Sequence, residues 1–64
     1  MEQNNMLRYF SYEHLPEKSQ LVSKKFSDLA QELEALLPSG LEKSVTFRKL
    51  LEAKDAAVRS WIYG

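Results

Sequence analysis

The residues able to do chemistry in this chain are aromatic rings interleaved with single cations. The chain reads Arg8-Tyr9-Phe10-Ser11-Tyr12 near its start and Trp61-Ile62-Tyr63 near its end. Aromatic faces stack on nucleobases at about 1–3 kcal/mol per base, and arginine planes stack in the same way. The same rings would also serve to fill the ends of a small core, where Tyr and Trp bring area plus a polar handle. Lys54 is the odd residue of its segment, because Leu50, Leu51, Ala57 and Val58 occupy the positions three and four residues away. An ammonium on an apolar face must be paired, hydrogen-bonded or snorkelled to the rim. Two readings stay open for it, a structural contact or a phosphate ligand inside an assembly. The Lys24-Lys25 pair is a weaker signal of the same kind, since adjacent lysines usually form a solvated face.

Catalysis finds little support in the residue pattern. The single histidine, His14, precedes a Leu-Pro step with no nucleophile elbow around it. Glu32 and Glu34 are two apart and so do not share a helix face. No glycine-rich phosphate cradle occurs, and the chain is expected not to be an enzyme. Cysteine is absent, which removes disulfides, iron–sulfur clusters and thiolate zinc sites, and one histidine makes no nitrogen-rich metal site. No cofactor and no metal are expected. Nine Lys plus Arg balance nine Asp plus Glu. A binder of long nucleic acid needs a basic excess to release counterions, so long DNA or RNA is not an expected partner. No apolar run is long enough to span a bilayer and no basic-then-apolar leader opens the sequence. The expected setting is the cytoplasm.

The elements that must hold these residues follow from two breakers. Pro16 and the Pro38-Ser39-Gly40 cluster divide the 64 residues into an arm (1–14), a first helix (about 15–37) and a second helix (about 40–62). Residues 1–7 read as a frayed arm. Pro16 suits the first helical position, and Val22, Phe26, Leu29, Leu33 and Leu36, widened by Ala30 and Leu37, form one apolar seam. The second helix opens on Ser39-Gly40-Leu41-Glu42, which fits a capping box. Phe47, Leu50, Leu51, Ala57, Val58, Trp61 and Ile62 make its stripe, with Arg48–Glu52 and Asp55–Arg59 as opposite-charge pairs on the outside. So short a turn forces the helices antiparallel. The fold class is all-α, a single two-helix hairpin domain. A lone copy of this size is marginally stable, and two rods cannot bury every large apolar group on one contact line, so a homo-oligomer is expected.

The segments Phe10-Ser11-Tyr12-Glu13-His14-Leu15-Pro16-Glu17 and Arg48-Lys49-Leu50-Leu51-Glu52-Ala53-Lys54-Asp55-Ala56-Ala57-Val58-Arg59 resemble the helical-hairpin family of phage anti-CBASS and anti-Thoeris sponges. The likeness runs from about Tyr9 to Trp61. It implies a compact homohexamer in the cytoplasm of an infected bacterium, sequestering cyclic oligonucleotide messengers of antiphage signalling without turnover. It implies cyclic dinucleotides at protomer–protomer pockets, with an arm tyrosine on a base and a helix-one lysine at the phosphates. Some members also hold cyclic trinucleotides with second-helix residues. By position, Tyr12 matches the family's Tyr-x-x-Leu arm, with Tyr9 as the competing ring, and Lys24 or Lys25 matches the lysine. Arg59 falls at the second site, and Arg48 and Lys54 complete the expected ligand set. The family places a glycine after its basic pair where this chain has Phe26, which bears on the size of ring the pocket accepts. The alternative is a structural or protein-binding hairpin with no nucleotide ligand.

Overall fold

A computed structural model describes residues 5–64. The arm's residues 1–4 lie outside the described residues. Three helical elements follow in order: a 3-10 helix, η1 (Asn5–Phe10), then α1 (Glu17–Leu36) and α2 (Leu41–Tyr63). Among the described residues there is no strand. α1 and α2 pack against each other as a helical hairpin, and η1 packs across both. Contacts at the two ends show the antiparallel sense. Trp61, late in α2, donates from Nε1 to the Lys18 carbonyl early in α1 at 2.8 Å. Lys43, early in α2, reaches the last turn of α1.

Residues 5–7, expected to belong to a frayed arm, lie instead in η1; the rest of that expectation, residues 1–4, falls outside the described residues. The arm's last stretch coils into η1 because Phe10 has a core to enter. Phe10, Ala30 and Phe47 form the buried centre, packed by Leu7, Phe26, Leu33, Leu50 and Leu51. Phe10 meets Phe47 edge-to-face, with centroids 6.3 Å apart and planes at 71°, the arrangement the ring quadrupole favours.

The face α1 turns inward also differs from the expected seam. Its buried residues are Ser19, Ser23, Ser27 and Ala30, whereas Leu29 and Leu36 are exposed and Val22, Phe26 and Leu33 are half-buried. Small side chains recur there at steps of four, four and three: Ala30 clusters with Phe10 and Phe47, Ser27 lies beside Phe10, and Ser19 and Ser23 share a cavity with Lys54 and Val58. In α2 the stripe is buried at Phe47 and partly covered at Leu50, Leu51, Ala57 and Val58, while Trp61 and Ile62 keep 45% and 39% of their surface exposed. Ser23 Oγ is buried with no hydrogen-bond partner. A buried hydroxyl left unpaired costs roughly 1–3 kcal/mol, and alanine is the better helix former. Ser23→Ala is therefore expected to stabilise the protein by about 1 kcal/mol, read as a rise in the urea midpoint with unchanged slope.

The turn is closed by a lysine. Lys43 Nζ donates to the carbonyls of Glu34 (3.0 Å) and Leu37 (3.1 Å). It also lies 3.3 Å from Glu34 Oε1, an ion pair outside hydrogen-bond geometry. A cation on the last carbonyls satisfies acceptors that no helical N–H can reach. The Ser39–Glu42 capping box does not form. Gly40 is the N-cap, at φ 153°, and α2 begins one residue later without a side-chain cap. That φ lies in the region glycine alone visits freely, so the reversal is made by backbone geometry. Pro16 sits one position outside α1 as its N-cap; its ψ of 149° is extended, and its carbonyl accepts from Ser19 and Gln20. Arg48–Glu52 and Asp55–Arg59 do not close into ion pairs; all four are exposed, where such pairing gains little over hydration.

Candidate functional site

The site forms where the arm turns into α1. Tyr12 follows η1, and the chain between them and Glu17 is held by Gln20, whose Nε2 donates to the carbonyls of Leu15 (2.8 Å) and Glu13 (3.3 Å). A glutamine one turn into the helix thus fixes the loop that carries the tyrosine. Tyr12, Glu17, Gln20, Leu21, Lys24, Lys25 and Asp28 line one open cleft of about 410 Å³. Helical periodicity explains the wall, since Glu17, Leu21, Lys24, Lys25 and Asp28 recur at steps of four, three, one and three.

Charge in the cleft is mixed and arranged. Lys24 Nζ donates to Asp28 Oδ2 at 2.9 Å, one turn on. The hydrogen bond to Asp28, its charge and the nearby Tyr12 hold the Lys24 ammonium above the ordinary lysine value. The contact with Asp28 places the Lys24 head on this wall. Lys25 has no hydrogen-bond or ion-pair partner among the described residues. An aromatic ring, a positioned cation and an unpaired cation on one wall can accept a base and a phosphate together.

The remaining expected residues stand elsewhere. Tyr9 is exposed at the end of η1, with the Arg8 guanidinium 5.2 Å over its ring and its hydroxyl accepting from Arg8 at 3.3 Å. Arg48 is exposed on α2, away from the cleft. Lys54 and Arg59 line a smaller cavity of about 250 Å³ with Leu15, Ser19, Ser23, Asp55 and Val58. Lys54 has a structural contact there. Its Nζ donates to the Tyr9 carbonyl at 2.7 Å, lies 5.7 Å over the Phe10 ring and is 4.0 Å from Asp55 Oδ1. The ammonium thus ties α2 to the last turn of η1. Trp61 has a structural contact of the same kind, bonding Lys18 and lying under its Nζ at 5.9 Å.

No family model matches the chain, and no curated protein or solved structure is similar to it. The cleft includes four residues the sequence alone did not single out for it, Glu17, Gln20, Leu21 and Asp28. Asp28 was within reach of sequence reasoning as the i+4 partner of Lys24. Gln20 was not, because its role is to hold a loop whose path no periodicity specifies. Among the described residues no group of three or more His, Asp or Glu side chains gathers as a metal site. No helix among the described residues is long and apolar enough to cross a membrane.

Proposed function

We propose that this protein is a non-catalytic sponge that captures cyclic oligonucleotides at the interfaces of a compact homo-oligomer, with a hexamer implied by the family it resembles. The observation that carries the reading is the Tyr12–Lys24–Lys25 cleft. Its volume falls within the roughly 300–1,000 Å³ of small-molecule sites. The cleft is open on one side, so one copy covers part of a ligand. A cyclic dinucleotide offers two bases and two phosphates, and two copies facing each other supply each base with a Tyr12 ring and each phosphate with Lys24. Zero net charge suits this role, because local preorganisation binds a small anion without attracting long nucleic acid. The proposed setting is the cytoplasm of an infected bacterium, where the intact messenger is withheld from its effector.

Native mass spectrometry of the full chain, alone and with a panel of cyclic di- and trinucleotides, tests this. An oligomer taking up a fixed number of intact nucleotides, recovered unchanged after denaturation, supports the sponge. Cleaved product replaces it with an enzyme. The exposed Leu21, Leu29 and Leu36 favour a second reading, a protein-binding hairpin whose apolar face receives a helix. An assembly indifferent to the whole panel selects that one.

A further inference from the structure

The outer face of α1 is self-complementary. At about 3.6 residues per turn, Leu21, Lys25, Asp28, Leu29, Glu32 and Leu36 fall within an arc of about 100°. That arc is opposite the buried Ser19, Ser23 and Ala30, and all six residues are exposed. Leu21 is 61%, Leu29 40% and Leu36 76% exposed, on a helix whose other side already makes the hairpin. Three leucines on a solvated face lose free energy to water that a matching surface would recover.

The order of charges along this face says which surface matches. Lys25 and Glu32 are a helical heptad apart and flank Leu29. Placing a second α1 antiparallel, with a two-fold axis between residues 28 and 29, sets Leu21 against Leu36, Lys25 against Glu32 and Leu29 beside Asp28. An isologous contact repeats each pairing, so two Leu–Leu contacts and two Lys–Glu pairs close at once. A parallel arrangement would set Lys25 on Lys25 and Glu32 on Glu32. Asp28 brings the one like-charge approach at the axis, and Lys24 already neutralises it at 2.9 Å.

We propose that the outer face of α1 is a two-fold interface with a second copy of this chain, in the antiparallel register that pairs Lys25 with Glu32. The pairing rests on the assembly proposed above; it borders the cleft at Leu21, Lys25 and Asp28 and engages Lys25, so the phosphate contact in that assembly falls to Lys24. One helix on one helix buries less than the roughly 1,600 Å² of a standard interface, so this contact alone is expected to be of micromolar strength.

Sedimentation equilibrium of the full chain without nucleotide tests it. The expected mass is twice the 7.4 kDa protomer, or an even multiple of it. Glu32→Lys, which lies outside the cleft, turns both attractive pairs repulsive and is expected to raise the dissociation constant about tenfold. Lys25→Glu does the same, and the Lys25→Glu/Glu32→Lys double variant returns it to within about threefold of the parent. Leu29→Asp abolishes pairing with the helical circular dichroism retained, because Leu29 is outside the core. A chain that is monomeric up to about millimolar concentration, far above the strength expected of this contact, overturns the interface. So does an odd assembly, one indifferent to Glu32→Lys, or a double variant that fails to recover. An assembly that binds nucleotide yet ignores Glu32→Lys overturns the two-fold alone. A chain that pairs as described but takes up no nucleotide overturns the ligand alone.

Discussion

Phe47→Ala is expected to leave the hairpin largely unfolded at 25 °C. Phe47 is fully buried and is the ring through which η1, α1 and α2 meet. Removing it costs about 3–5 kcal/mol, transfer and cavity terms together. At roughly 0.05–0.15 kcal/mol per residue, a chain of 64 residues has about 3–10 kcal/mol in total. One truncation therefore consumes most of what is available. Far-UV circular dichroism against urea should show the transition moved to low denaturant or lost, with Phe47→Leu in between. A stability within about 0.5 kcal/mol of the parent would mean that the centre of the core is elsewhere.

Phe47 was legible in the sequence because a large ring at a stripe position has few alternatives to burial. The partner face in α1 was legible only in part. Hydrophobic periodicity points to Val22, Phe26, Leu29, Leu33 and Leu36, widened by Ala30 and Leu37; Ala30 is buried and Phe26 and Leu33 pack on the core, but the helix also turns Ser19, Ser23 and Ser27 inward and leaves Leu29 and Leu36 exposed. Serine is polar by type, so apolar periodicity does not register it as a residue of the inner face. Phe10 itself was read as part of an arm, since a short 3-10 helix has no period long enough to register. The two long helices and their turn were readable because Pro16 and Pro38-Ser39-Gly40 interrupt two long helical patterns. How the turn is fastened was not readable, because Lys43 acts on carbonyls six and nine residues away, across a loop.

Lys54 shows the same limit. Its interruption of an apolar face was plain, and a structural contact was one of its two readings. The acceptor, the Tyr9 carbonyl, lies 45 positions earlier and became visible only once η1 was placed. Tyr12 with Lys24 and Lys25 fared differently. They are near one another in sequence, on a loop and the first turns of the helix it enters, so local geometry brings them to one cleft. Arg48 and Arg59 sit on the other helix and do not join it.

Tyr12→Ala is expected to remove most of the affinity for a cyclic dinucleotide in the proposed sponge. Each base stacked on an aromatic ring gains about 1–3 kcal/mol. Two copies of the cleft act on one ligand, so the loss is about 2–6 kcal/mol, or at least about thirtyfold in dissociation constant. Tyr12→Phe should keep affinity within about threefold of the parent, because stacking needs the ring and not the hydroxyl. Tyr9→Ala should leave it unchanged, since that ring is outside the cleft and occupied by Arg8. Calorimetric titration of the three variants with the nucleotide that the panel selects checks this. The discriminating contrast is between the two tyrosines, because both belong to the arm and both are rings beside cations. Loss of binding in Tyr9→Ala with Tyr12→Ala intact would move the ligand to the end of η1. Loss only in Tyr12→Ala ties affinity to the ring that Gln20 and the first turn of α1 hold in place.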